Sequence, residues 1–268
     1  MRWLCALALA AVLGAPARAL DFDIVIGDES GITHRIAEDL RPRLQRLFAN
    51  APGKRKTLYV AIGPLALRSA SAHHDGVVLS LYTSSQVCHA LLARGMGAIY
   101  AEPAPADQLR LVELLYRRPV RIATILSEDT AFLKDALPGV TLEDFDSGDD
   151  INRALNKIAQ QQVLLAVPDR AVYNTENIRN ILLSTYRHNQ GVIGFSADMV
   201  KAGALASTYS SVEDINAQAV DIVRDWLESD EMPAPQFPRY FRTIVNDGVA
   251  RSLGVAVDDT ARHFARRP

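Results

Sequence analysis

Cysteine is almost absent from this chain, with only Cys5 and Cys88 among 268 residues. Cys5 lies in an N-terminal leader too near the start to be a lipid-attachment site, so Cys88 stands alone and an internal disulfide in the mature chain is excluded. Charge of one sign is equally lacking. Basic residues number 29 against 31 acidic, a net charge of −2, so no strong field favours nucleic acid or an anionic membrane as partner. No apolar run reaches the roughly 18 residues that a membrane span requires. There is no glycine-rich phosphate loop ending in Lys-Ser or Lys-Thr, and no G-x-S-x-G nucleophile elbow. No self-similarity of about 20 to 50 residues points to a solenoid. What remains, 49% hydrophobic and 22% charged residues, is the composition of a chain that builds an ordinary core.

The first residues read as an export signal. Met1-Arg2 gives a charged start, residues 3–15 a short apolar stretch, and Ala17-Arg18-Ala19 a small-x-small cleavage site. Residues 1–19 are therefore expected to be removed, with the mature protein starting near Leu20. Export without disulfides points to a bacterial periplasm, where a domain of this size is stable on its core alone.

Beyond the leader, short β-rich runs alternate with amphipathic helices, the pattern of parallel sheets joined by crossover helices. Runs at 22–26, 57–62, 76–81 and 98–100 form a first series of strands. A second series comprises 120–126, 140–145, 163–167, 191–195, 205–207 and 240–245. Ile32, Ile36, Leu40, Leu44 and Phe48 lie on one helical face, but Pro42 removes a hydrogen bond there, so a kink or two short helices is expected. Leu111, Leu114 and Leu115 mark a helix at 106–116. Ile215, Ala219, Ile222 and Trp226 mark a long one. Arg117-Arg118-Pro119 reads as a boundary at which a second lobe begins.

In doubly wound sheets, ligands bind beyond the carboxyl ends of strands. Here those ends are residues 27–31, 63–64, 82–84, 127–129, 168–170 and 196–197. Glycine lets a backbone approach a ligand, hydroxyls supply hydrogen bonds, and tyrosine gives an apolar wall with a polar tip. The same residue types also make turns and cap helices. Asp169 follows an apolar run, with Arg170 and Tyr173 nearby; a carboxylate there binds a ligand amine, caps the next helix or pairs with arginine, and the sequence leaves the three open. Tyr82 and Tyr209 also follow apolar runs and are candidates for cleft walls or for packing. His73-His74 with Asp75 has no metal-ligand spacing, and Cys88-His89 are neighbours that point apart on a helix. No metal or cofactor is expected, and the case for an enzyme is weak.

Several stretches, in order, resemble one family. They are Tyr59-Val60-Ala61-Ile62-Gly63-Pro64; residues 98–115 followed by 121–126; Val167-Pro168-Asp169 through Ile181-Leu182; Gly191-Val192-Ile193-Gly194-Phe195; Val200-Lys201-Ala202-Gly203-Ala204; and Ile244-Val245-Asn246 with Leu253-Gly254-Val255. The chain is similar here to the periplasmic solute-binding proteins of ABC transporters, type I two-lobed class, in the branch with tryptophan- and tyrosine-binding members. That resemblance implies an α/β fold of two lobes, each a mostly parallel sheet flanked by helices, with a ligand cleft between them. Lobe 1 would combine 20–118 with 206–238, and lobe 2 would combine 119–205 with 239–268. It implies a monomer that closes on a small solute, an amino acid or small aromatic, and is then read by a membrane permease or another envelope protein. Carried onto this chain, the ligand contacts would be Gly63, Tyr82 and Thr83 from lobe 1 and Glu128, Asp169 and Ser196 from lobe 2, with Tyr173 and Tyr209 as added walls. The sequence departs from the family before residue 57, where the β-α-β opening looks compressed. The alternative reading is a periplasmic sensor or accessory module without a dedicated permease.

Overall fold

Phe22–Ile26 (β1) and Thr57–Ile62 (β2) pair in parallel, from Phe22 opposite Leu58 to Ile26 opposite Ile62. The helix Gly31–Ala49 (α1) joins them, so the opening β-α-β unit is complete, not compressed. The structure is a computed structural model that describes residues 22–50, 56–73, 76–91 and 95–268. The expected leader, His74 and Asp75 lie outside the described residues. Of the two expected outcomes at Pro42, a kink or two short helices, the second does not occur: Pro42 sits inside α1 without dividing it. An interior proline costs about 3 kcal/mol. Burial of Ile36, Leu40 and Leu44 on the sheet opposes that with about 1.5 to 3 kcal/mol for each side chain, so packing wins.

Gly76–Thr83 (β3) and Gly97–Tyr100 (β4) complete a parallel sheet of order β1-β2-β3-β4. Side chains alternate across a strand, and β2 shows it: Leu58, Val60 and Ile62 face one core while Ala61 faces another. The first face is covered by α1 and by Val212–Ser229 (α8), whose Ile215, Ile222 and Trp226 are buried there. The second is covered by Pro64–Ala70 (α2) and Ser85–Leu91 (α3), through Leu67 and Cys88.

The second sheet has six strands: Ile122–Leu126 (β5), Thr141–Asp144 (β6), Val163–Leu165 (β7), Gly191–Ile193 (β8), Ala206–Tyr209 (β9) and Arg242–Val245 (β10). Their order is β10-β9-β8-β7-β5-β6, parallel except for β10 against β9. Ile151–Lys157 (α5), Asn177–Arg187 (α6) and Ala197–Ala202 (α7) pack on one face. Pro105–Tyr116 (α4), the 3₁₀ segment Glu128–Ala136, Asp247–Ser252 (α9) and Asp259–Arg262 (α10) pack on the other. Each sheet thus has both faces covered, as buried parallel sheets require.

Two expected lobe boundaries move. Helix α4, assigned by sequence to lobe 1, buries Leu111, Val112 and Leu115 against Val163, Leu165 and Ile193 of the second sheet. Gln108 fixes it there: its amide nitrogen donates to the Gly194 carbonyl and its oxygen accepts from Thr208 N at 3.0 Å. Strand β9, also assigned to lobe 1, pairs within the second sheet, because its backbone completes the ladder between β8 and β10. The chain returns to the first body only with α8, whose capping box joins Ser211 and Asp214. Among the described residues the chain therefore passes between bodies at 101–104, 210–211 and 238–240. Two of these passages run side by side, with Ser210 Oγ donating to the Tyr240 carbonyl at 2.6 Å.

Candidate functional site

The carboxyl ends of both sheets face a common cleft of about 320 Å³. From the first body it is lined by Pro64, Tyr82, Ser84, Val87 and Ala101. The second body contributes Pro168, Asp169, Arg170, Tyr173 and Phe195. The chain is brought to each position by a local device. Gly63, at φ 85°, makes a turn that L side chains resist, and Pro64 then opens α2. Tyr82, at φ 59°, sits where the register of β3 against β4 shifts between Leu81 and Thr83. That bulge redirects its ring. The Tyr82 hydroxyl lies 3.3 Å from both the Val212 carbonyl and Asn216 Oδ1, acceptors at the start of α8. Burial raises its pKa well above the usual phenol range, so it is a neutral donor.

In the second sheet β5 has β6 on one side and β7 on the other, so the loops after β5 and β7 diverge at a topological switch point, where a crevice forms. Asp169 fills that crevice from within. It is 1% exposed. Its Oδ2 accepts from Ser127 N at 2.7 Å and from Thr130 Oγ1, and its Oδ1 accepts from Ala171 N at 3.0 Å and Val172 N at 3.3 Å. Four internal donors leave a carboxylate no lone pair aimed outward. The expectation that Asp169 meets a ligand amine is replaced by a different role: it ties the loops after β5 and β7 together as the cleft floor. Tyr173 and Phe195 stand above it edge to face, with centroids 5.6 Å apart. The Tyr173 hydroxyl is buried without a hydrogen-bond partner, and burial raises its pKa far above the ordinary value.

Of the other expected contacts, Gly63 shapes the turn before Pro64, and Thr83 is buried with its hydroxyl unpartnered. Ser196 Oγ accepts from Met199 N as the cap of α7. Glu128 is exposed and Tyr209 half-buried, and neither borders the cleft. Ser84, Val87, Arg170 and Phe195 do border it. All four lie in or beside the strand-end segments, but nothing in their own spacing separates them from turn or core residues.

Arg170 differs from its neighbours. Its backbone N–H donates to Gln86 Oε1 at 3.3 Å, while its exposed guanidinium makes no hydrogen bond or ion pair among the described residues. Gln86 also reaches Asp129 Oδ2 at 3.4 Å, and His89 stacks on Phe132 at 4.3 Å. Both contacts join α3 of the first body to the 3₁₀ segment of the second, along one edge of the cleft. Behind this edge, Glu102 is 3% exposed, and one of its oxygens accepts from Ser85 N while the other has no partner. Burial raises its pKa. Cys88 is buried in the first body, where burial pushes its thiol up to about 12, and His73 stacks on Tyr59. Among the described residues no cluster of three or more His, Cys, Asp or Glu is placed to hold a metal, and no helix is long and apolar enough to cross a membrane.

No family model and no curated protein matches the chain. Solved structures do. A substrate-binding protein with adhesive properties from Clostridium difficile, CD0873 in its ligand-free, open form, superposes with a TM-score of 0.63 at 15% identity, covering 90% of this chain and 97% of that one. An ABC domain in complex with L-Trp from Streptococcus pneumonia gives 0.56 at 14% identity, covering 90% and 97%. A conserved domain protein from Vibrio cholerae gives 0.55 at 18%, covering 85% and 83%. The fold is that of the two-lobed type I solute-binding proteins.

Proposed function

We propose that this protein is the periplasmic solute-binding component of an ABC importer, capturing a small solute, an amino acid or small aromatic, as its two lobes close about the three interlobe passages. The observation that carries this reading is the cleft itself. It is built from strand-end loops of both bodies, its volume of about 320 Å³ lies within the range of about 300 to 1,000 Å³ typical of small-molecule sites, and its walls mix aromatic rings with a few polar groups. A solute touching both bodies favours the closed state by its difference in affinity for the two states, and a permease reads that state. The leader at 1–19 would deliver the chain to the periplasm, where it would act as a monomer.

A thermal-shift screen of the purified protein against amino acids, aromatic metabolites, sugars and nucleosides tests this. Saturation at about 100-fold over Kd contributes about 2.7 kcal/mol, which for a chain of this size raises the midpoint by about 5 to 10 °C. The shift should vanish in Tyr173→Ala. A folded protein that responds to no class of solute would turn the reading toward an accessory module that binds another envelope protein.

A further inference from the structure

The polar groups of the cleft restrict the charge of what it holds. Among the described residues Asp169 is the only carboxylate on the lining, and four internal donors already consume it. Glu102 lies buried behind the lining, with one oxygen committed to Ser85 N. Neither offers an ionised acceptor to a ligand ammonium. Arg170 has the opposite character: among the described residues it is the one cationic side chain on the lining, and its guanidinium is unpaired. Lobe closure would take that cation out of water, which is unfavourable unless an anion arrives with it. A guanidinium presents a planar fork that matches a carboxylate. Apart from the neutral hydroxyls of Tyr82 and Ser84, the remaining surface, Pro64, Val87, Ala101, Pro168 and the Tyr173–Phe195 pair, is apolar or aromatic. It suits a ring and gives no further cation for a phosphate or a polyanion.

We infer that the solute is a small aromatic monocarboxylate without an ammonium group, its ring against Tyr173 and Phe195 and its carboxylate on Arg170. This inference rests on the solute-binding reading above and narrows it. An amino acid in the same pose would place its ammonium beside Arg170 with no ionised acceptor free on the lining to receive it; the exposed carboxylate of Asp129 lies at the cleft edge and is engaged by Gln86.

Isothermal titration of the purified protein with matched series tests the assignment: indole-3-acetate, tryptophan and indole-3-acetamide in one, and 4-hydroxyphenylacetate, tyrosine and 4-hydroxyphenylacetamide in the other. The acid of at least one series is expected to bind ten-fold or more tighter than both of its partners. Arg170→Gln should weaken that acid ten-fold or more while leaving the melting midpoint unchanged, since the side chain holds nothing else; Arg170→Lys should recover part of the loss. Tryptophan or tyrosine binding as tightly as the acid, the amide matching the acid, or an acid that binds Arg170→Gln undiminished would overturn the assignment while leaving solute binding intact. Failure of both series beside a hit from another solute class would do the same. Failure of every class would overturn both.

Discussion

Asp169→Ala is expected to cost the protein stability before it costs any contact with a solute. The carboxylate accepts from Ser127 N, Thr130 Oγ1, Ala171 N and Val172 N. Ser127, Thr130 and Val172 are themselves buried, so water does not readily replace the lost acceptor. Each donor left orphaned costs about 1 to 3 kcal/mol. The four share one anion, which makes their contributions less than additive, and two to three orphans give a loss of about 3 to 5 kcal/mol. That is a large part of the roughly 5 to 15 kcal/mol that holds a typical domain. It lowers the melting midpoint by about 6 to 20 °C at about 2 to 4 °C per kcal/mol. Asp169→Asn keeps one acceptor oxygen but turns an NH₂ toward donors, so an intermediate loss is expected. Urea and thermal unfolding followed by circular dichroism read these values. If Asp169→Ala unfolds within about 0.5 kcal/mol of the parent, the range of a neutral surface change, while losing solute binding, the carboxylate is a ligand group and the reasoning fails.

Three further outcomes follow from the geometry. Burial raises the Glu102 pKa, so the folded state binds its proton more tightly than the unfolded chain; stability therefore falls as pH rises from the unfolded value through the folded one. Glu102→Gln should remove that slope, stabilising the protein at pH 7 relative to the parent and leaving it unchanged below the unfolded pKa; urea titrations at pH 4 and pH 7 measure both. Gln86→Ala with His89→Ala removes contacts that bridge the bodies along one cleft edge. If they form only on closure, losing about 1 to 2 kcal/mol of them should weaken solute binding five- to thirty-fold in titration calorimetry, with the unfolding midpoint nearly unchanged. Pro42→Ala restores a helical N–H inside α1 and should stabilise the chain by about 2 kcal/mol, the interior proline penalty less its benefit through the unfolded state; an unchanged midpoint would mean that α1 has already absorbed the proline.

How much of this was legible in the sequence follows from the range of each interaction. Strand β2 and the long helix α8 showed as local patterns, because alternation and four-residue spacing are written within a few neighbours. The location of α4 was not, since the stripe of Leu111, Val112 and Leu115 fits either sheet; its partners Val163 and Ile193 lie far along the chain. Asp169 was legible as a residue at a sheet mouth. Its role was not, because its donors Ser127 and Thr130 are 42 and 39 residues away, and whether a carboxylate is free or consumed depends on such partners. Arg170 was visible only as a member of a loop, and Phe195 only as the last residue of a strand run. Proline at position 42 argued for a kink or two short helices on local grounds, and tertiary packing kept α1 undivided.

The most direct test of solute capture by closure is the distance between lobes. Spin labels at Arg68 on α2 and Arg187 on α6, both exposed and on different bodies, can be introduced in place of the arginines and read by pulsed electron resonance with and without the best solute from the screen. Capture by closure predicts a broad distribution without solute that narrows and shifts to a single distance at saturation. An identical distribution in both conditions, with solute binding confirmed in the same sample, would contradict it.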